Sequence, residues 1–306
     1  MHMEYPLVSI ITVNFDHPEV TLELLASLRL ISYPSIEIIV IDNASPKDDP
    51  AILKQNFPEI IFIQSEKNLG FAGGNNLGIR IAKGKYLLFI NNDTEVEPGF
   101  LEPLVEKCES DARIGGVSPK IKFHAYPDTI QFCGQAPMNK YTIRSYGFGY
   151  GAIDTGQFDQ DSQTHFVHGA AMMVPMSVIK EIGLMPEIYF LYYEELDWCS
   201  SIIKAGYQLW YVHNSYILHK ESISTGKLSP FKTYYMNRAR LLYLRRNVNG
   251  FTFLIAILFQ LFFAIPKNLI VFALTNRRGH FMAYSKAVFW HLKHLFSKEI
   301  HTNPRL

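Results

Sequence analysis

The 306 residues are 48% hydrophobic and include 19 glycines, enough apolar material for a full core and too much for a disordered chain. Twenty-nine Lys and Arg against 28 Asp and Glu leave a formal charge of +1, so no global field marks a nucleic-acid binder. Three cysteines without CxxC or zinc spacing argue against a disulfide framework and for a reducing compartment.

In chain order, an apolar run over 7–13 predicts the first strand. The acidic residue before it, with no basic flank or long apolar stretch, argues against a signal peptide. Val20, Leu24, Leu25 and Leu28 share one face of a helix predicted over 18–30. Strands follow over 36–41 and 60–63, and polar residues collect at the carboxyl ends of the first two: Asn14 and Asp16, then Asp42, Asn43 and Ser45. A Gly- and Asn-rich loop over 68–76 opens a helix through 82. Residues 86–90, YLLFI, are short and apolar enough for a central strand buried on both faces. This alternation predicts an α/β fold with a mostly parallel central sheet flanked by helices.

The placement of glycine narrows the choice of nucleotide fold. No GxGxxG follows the first strand, which argues against a dehydrogenase, and no GxxxxGK[ST] loop occurs, which excludes P-loop phosphotransferases. Gly70, Gly73 and Gly74 come after the third strand instead. The fourth strand ends in Asn91, Asn92, Asp93, Thr94 and Glu95, at the sheet edge where open α/β folds bind ligands. Asp93 there suits Mg2+ or Mn2+ carrying a nucleotide diphosphate; capping the helix that starts near Pro98 is the other reading of the same side chain.

The segments VSIITVNF, IDNAS, NLGFAGGNN and FINNDTEV, in this order within about 8–222, resemble the inverting family 2 glycosyltransferases, especially the rhamnosyltransferase-like branch that builds bacterial surface polysaccharides. The resemblance implies a GT-A fold, a nucleoside-diphosphate-sugar donor and a divalent metal. It puts Thr12, Asn14, Asp42, Asn43 and Ser45 around base and ribose, and Asn68, Gly74 and Asn75 along the donor. Asn91 and Asp93 stand at the DxD positions, so that one negative charge reaches the metal.

Beyond these motifs a strand is predicted over 114–122. A glycine-rich insertion over 123–164 carries Tyr126, Tyr141, Tyr146, Phe148 and Tyr150, which suit either stacking on sugars or packing on one another. Residues 166–175, FVHGAAMMVP, read as a strand with small residues at 169–171, which the resemblance sets beside the acceptor. Leu196, Cys199 and Ile203 give a helix within 190–206, with Glu194, Glu195 and Asp197 in its first turn. The helix dipole alone favours acids there by about 0.3–1 kcal/mol each. The aromatic run Phe190 to Tyr193 would also desolvate a carboxylate and raise its pKa toward that of a useful base. The resemblance gives the base role to Glu195, where relatives carry Asp, with Asp197 as base if the register shifts by two and Glu194 as a positioning residue. Two strands, over 207–212 and 216–218, precede His219, Lys220, Glu221 and Ser222. The resemblance makes His219 a second metal ligand; an ordinary strand-end hydrogen bond is its other reading.

After residue 228 the composition changes, which divides the chain into a GT-A domain over 1–228 and a helical, membrane-associating region over 229–306. A helix over 234–246 holds Arg238, Arg240, Arg245 and Arg246. The apolar run 251–273 is broken by Pro266, Lys267 and Asn268 into pieces too short to span. Arg245 and Arg246 before it and Arg277 and Arg278 after it favour monotopic or re-entrant attachment at the cytoplasmic face of the membrane, a buried hairpin being the alternative. Residues 281–296 read as a basic amphipathic helix on anionic lipid.

The expectation is an inverting, metal-dependent hexosyltransferase using Mg2+ or Mn2+. It would move a sugar, rhamnose-like, from a dTDP- or UDP-sugar to a hydroxyl of a lipid-linked or surface-polysaccharide acceptor, with no nucleic-acid partner and homo-oligomerisation left open. Its rivals are a membrane-anchored nucleotide-sugar-binding scaffold without turnover and a nucleotidyltransferase. The latter would want a basic, Gly-rich loop after the first strand, and none is there.

Overall fold

The computed structural model describes residues 5–220, 229–297, 300 and 304–306. The first half alternates as the periodicity demands: β1 (Val8–Asn14), α1 (Pro18–Leu28), β2 (Ile36–Asp42), α2 (Ala51–Asn56), β3 (Ile61–Gln64), α3 (Gly70–Ile81) and β4 (Tyr86–Ile90). There follow β5 (Thr94–Val96), α4 (Leu101–Ser110), β6 (Ile114–Phe123), β7 (Tyr126–Phe132), β8 (Ser162–Thr164), β9 (Ala171–Pro175), α5 (Met176–Ile182), α6 (Glu194–Lys204) and β10 (Gln208–His219). Four helices complete the described chain: α7 (Pro230–Asn247), α8 (Gly250–Phe259), α9 (Ile265–Leu274) and α10 (Arg278–Lys293).

The strands form one sheet in the order β3-β2-β1-β4-β9-β6-β10-β5, with β7 beside β6 and β8 beside β10. Six of the eight strands on this path run the same way; β9 pairs antiparallel with β4 and β6, and β5 antiparallel with β10. Every residue of β4 is buried, as its unbroken apolar run requires, and its neighbours are β1 and β9. The main core fills both faces of this strand, with Phe89 edge-on to Trp198 of α6 at 5.5 Å. All three cysteines are free and buried.

Several boundaries differ from the sequence reading. Most of the Gly-rich stretch 68–76 is the first half of α3 rather than a loop, because helix packing on β1 needs the space: a Cβ at Gly74 would sit 3.0 Å from the Val13 side chain. The strand expected over 166–175 begins only at Ala171, and α5 follows it. The two expected closing strands are one, β10, with its register shifting between Val212 and Tyr216. Glu221 and Ser222, and the expected domain boundary after residue 228, lie outside the described residues.

The region after 229 packs tightly on the rest. A second core joins Ile143, Tyr189 and Tyr193 to Ala239, Leu242, Tyr243 and Leu244 of α7. Arg246 and Asn247 bind the Asp197 carboxylate of α6, Asn247 Nδ2 donating at 2.6 Å. Such a buried pair is costly to break from one side.

Pro266 does not end the apolar helix. Gly250–Leu274 is a 25-residue helix in which a π turn over Gln260–Ala264 joins α8 to α9. The proline ring would meet the carbonyl four residues back, that of Phe262, and the widened turn lies there. Little of this helix is covered: Phe251, Leu261, Phe262, Phe263 and Leu274 all stand exposed. The expected division into two short pieces is therefore corrected, and the helix is not buried against the catalytic domain.

Candidate active site

The carboxyl ends of β1, β2 and β4 meet the amino ends of α3 and α6 around a cavity of 410 Å³. Its floor is hydrogen-bonded from one strand end to the next. Asn92 Nδ2 donates to Thr21 Oγ1 at 3.0 Å, Thr21 Oγ1 to Asn14 Oδ1 at 2.7 Å, and Asn14 Nδ2 to Asp42 Oδ1 at 2.9 Å and Ser45 Oγ at 3.2 Å. Asn14 and Asp42 have no exposed surface, nor does Thr12. The Asn14 and Asp42 side chains, spent on each other, fix the neighbouring backbone rather than line the cavity, while Thr12 Oγ1 is buried without a hydrogen-bond partner. Ser45 is likewise spent on this network, taking the Asp16 N–H at 2.8 Å.

Asn43 does line the cavity. Its Oδ1 accepts the Leu69 N–H at 2.9 Å and its Nδ2 donates to the Gly70 carbonyl at 3.0 Å, which pins the start of α3. Asn68, Asn75 and Asn91 line it too, whereas Gly74 is packed against β1. Of the expected donor-side residues, then, Asn43, Asn68, Asn75 and Asn91 reach the cavity; Thr12, Asn14, Asp42, Ser45 and Gly74 support its wall.

Gly70 has φ +71, and a Cβ there would come within 2.0 Å of the Phe190 carbonyl oxygen. That carbonyl accepts the Phe71 N–H at 2.9 Å, so α3 and the segment before α6 are held in contact. Gly70→Ala is expected to cost at least about 1–3 kcal/mol from the left-handed backbone alone. It should lower the urea midpoint and, by moving 190–195, the catalytic rate; an unchanged midpoint would contradict this packing.

Asp93 and His219 meet because β5 turns back along β10, pairing Thr94 with His219. Asp93 therefore does not cap α4, whose N-cap is Phe100. His219 Nδ1 lies 2.8 Å from Gln131 Oε1 and Nε2 lies 3.1 Å from Asp93 Oδ1, so Nε2 and the carboxylate share either a proton or, when Nδ1 holds the ring's one proton, a cation. In the Nδ1–H tautomer the two face each other as acceptors, the arrangement a metal ion would bridge. An octahedral ion with ligands at about 2.0–2.1 Å sets adjacent donors roughly 3 Å apart, so the pair fits Mg2+ or Mn2+. Gln131, on β7, is the partner that orients the imidazole. His17, Glu19 and Asp48 also bring ligand atoms within 4.8 Å of one another, but Glu19 and Asp48 are exposed and none of the three lines the cavity.

Glu195 and Glu194 enter from the start of α6. Neither finds a partner for Oε2, and both line the cavity. Burial pushes Glu195 up to about 7; burial, then the neighbouring Glu195 charge, holds Glu194 well above the ordinary carboxylate range. Phe190, Tyr192 and Tyr193 take φ between 65 and 72 to deliver this turn, a strained backbone of the kind that collects at functional sites. Asp197 points elsewhere: its carboxylate is taken by Arg246 and Asn247, away from the cavity, which removes it as an alternative base.

Sequence reasoning passed over His168, Gln131 and the α7 residues Phe231 and Lys232, all of which line the cavity. His168 is carried by the run of small residues in FVHGAA, a signal that was visible. Gln131 and Lys232 had none, since only tertiary pairing brings β7 and α7 here.

A nucleotide-side wall of β1 to β4, an acidic residue and a histidine at the β4 and β10 ends, and a buried carboxylate opposite define a GT-A glycosyltransferase. The structure superposes on GalNAc-T7 solved with UDP, GalNAc and Mn2+ at TM-score 0.61 and 16% identity, over 77% of this chain and 48% of that one. It also superposes on the mannosyltransferase PcManGT from Pyrobaculum calidifontis in complex with GDP-Man and Mn2+, at 0.59 and 14%, over 97% and 83%.

The sequence pattern of Glycosyl transferase family 2 matches residues 9–183, and the chain belongs to that family. It is 29% identical to the low-salt glycan biosynthesis hexosyltransferase Agl10 of Haloferax volcanii, over 62% of this chain and 60% of that protein's length. It is 22% identical to the N-acetylglucosaminyl-diphospho-decaprenol L-rhamnosyltransferase of Mycobacterium tuberculosis, over 66% of this chain and 72% of the other.

Proposed function

We propose that the chain is an inverting transferase that takes a hexose, rhamnose-like, from a dTDP- or UDP-sugar and delivers it to a hydroxyl of a lipid-linked or surface-polysaccharide acceptor. The observation that carries this reading is the shared cavity: a desolvated Glu195, its Oε2 without a partner, lines the same space as the Asp93–His219 pair. Asp93 and His219 would hold Mg2+ or Mn2+, which supplies positive charge to offset that developing on the departing diphosphate. Glu195 takes the proton from the acceptor hydroxyl, its raised pKa near 7 matching a base at neutral pH. Glu194, whose neutral form burial and the adjacent Glu195 charge favour, lies beside it in the cavity wall. Asn68 supplies an amide to the nucleotide, on the α3 start that Asn43 pins.

The lipid-linked acceptor is supported by the uncovered helix Gly250–Leu274 and by the decaprenol-linked substrate in the mycobacterial relative's name. Ala256 and Gln260 are buried on one flank of that helix, and Asn268 Nδ2 donates to Tyr284 of α10 at 3.1 Å. A helix tied to the protein along its length is better suited to lie in the plane of the bilayer surface than to cross it. The favoured location is the cytoplasmic face of the membrane.

Turnover of a dTDP- and UDP-sugar panel with Mn2+ tests the reaction, a panel without transfer or hydrolysis contradicting it. Cosedimentation with anionic phospholipid vesicles tests attachment. Wild type is expected in the pellet and a Leu261→Ser, Phe262→Ser, Phe263→Ser variant mostly in the supernatant; equal pelleting would contradict in-plane binding.

A further inference from the structure

Two histidines border the cavity side by side, their ring centroids 6.2 Å apart, and their Nδ1 partners differ in kind. In its Nδ1–H tautomer His219 donates to Gln131 and offers a lone pair from Nε2. His168 does the reverse. Its Nδ1 accepts the Ala170 N–H at 3.0 Å, so the neutral ring carries its proton on Nε2. A ring so protonated has no lone pair left for a metal, and it can only donate toward a ligand.

The mounting of His168 is rigid. Its own N–H reaches Ser118 Oγ at 3.4 Å, Ser118 Oγ donates to the Ala171 carbonyl at 2.7 Å, and the Ala170 carbonyl takes the Asn91 N–H at 3.0 Å. Phe132 and Phe166 pack on the ring with centroids at 5.3 and 5.7 Å. That leaves the Nε2 edge, and among the described residues no protein group accepts from it. The next residue, Gly169, lies against the base: a Cβ there would be 3.4 Å from Glu195 Oε1. His168 therefore stands between the metal-binding pair, which would face the diphosphate, and Glu195, which would face the acceptor hydroxyl. The group lying between those two in a displacement is the transferred sugar.

We propose that His168 recognises the donor sugar, its Nε2–H donating a hydrogen bond to a hydroxyl of the hexose being transferred. The assignment rests on the transferase reading above and adds a determinant of which sugar is accepted. Sites that hydrogen-bond a substrate hydroxyl reject analogues lacking it, because a buried donor is then left unpaired.

The test compares wild type, His168→Ala and His168→Gln on a dTDP- or UDP-sugar that wild type turns over and on analogues of it lacking one hydroxyl at a time, with free dTDP or UDP plus Mn2+ as competitor. His168→Ala is expected to lose roughly tenfold or more in kcat/KM for the intact donor, and about twofold or less for one particular deoxy analogue. The inhibition constant of the free nucleoside diphosphate should stay unchanged, and Gln, which keeps an N–H donor, should recover part of the loss. Equal losses on every donor, or weakened inhibition by the free diphosphate, would overturn the assignment. If Ala at 168 fails to fold, His168→Gln is expected to narrow the same preference, and an unchanged preference overturns it. Absence of turnover by wild type sinks the transferase reading together with this one; turnover with preferences that ignore residue 168 sinks this one alone.

Discussion

Glu195→Gln is expected to lower kcat by about 10²- to 10⁴-fold while making the folded protein more stable above neutral pH. The first part follows from the role of a general base, whose removal costs that range. The second follows from linkage. Burial raises the Glu195 pKa from 4.5 to about 7, so the folded state favours the neutral acid. Below pH 4.5 the group is protonated folded or unfolded and burial costs nothing in charge. As pH rises from 4.5 to about 7 the unfolded chain gives up this proton while the folded state keeps it, so stability falls across that window by on the order of 3 kcal/mol and levels off above it. Glutamine carries no such proton. Urea unfolding at pH 5 and pH 8 should therefore show wild type losing stability relative to Glu195→Gln over that interval. The wild-type rate should rise with pH along a limb near 7, and any residual rate of the variant should lack it. A variant as active as wild type, or less stable than it at pH 8, would contradict a desolvated base.

Asp93→Ala is expected to cost about 10²- to 10³-fold in kcat/KM, the scale for removing one preorganised group that offsets developing charge. Asp93 is the single carboxylate among the cavity residues at the β4 end, because the chain has Asn at 91. His219 alone offers one nitrogen, so the variant should lose metal-dependent donor binding nearly completely. A donor at about 100 times its Kd with Mn2+ stabilises the native state by roughly 2.7 kcal/mol. That stabilisation should appear in thermal unfolding of wild type and vanish in Asp93→Ala. Undiminished Mn2+-dependent stabilisation of the variant would place the metal elsewhere.

The parts of this site that were legible in the sequence are those written in local pattern. The YLLFI run had to be a buried strand, and polar residues directly after it had to sit at the ligand edge, so Asp93 was found from neighbouring residues alone. The aromatic approach from Phe190 announced desolvation for the acidic cluster 194–197, and the resemblance singled out Glu195 within it. What stayed hidden depended on partners far along the chain. Asp197 looked like a third carboxylate of the site until Arg246, 49 residues on, was seen to hold it. The resemblance put Asp42 and Asn14 on base and ribose; their side chains are instead hydrogen-bonded to each other and to Ser45. Gly70 read as a loop glycine, yet what excludes a side chain there is the Phe190 carbonyl, which takes the N–H of the next residue. Pro266 read as a break because proline propensity is local, whereas a π turn before it absorbs the clash.

The most direct measurement is calorimetric titration of a dTDP- or UDP-sugar that wild type turns over, in Mn2+, into wild type, Glu195→Gln and Asp93→Ala. One cavity with separate base and metal roles requires Glu195→Gln to bind the donor with a Kd within about threefold of wild type while failing to turn it over, and Asp93→Ala to bind it only weakly. Donor binding indifferent to Asp93, or lost in Glu195→Gln to the same extent as in Asp93→Ala, would contradict it.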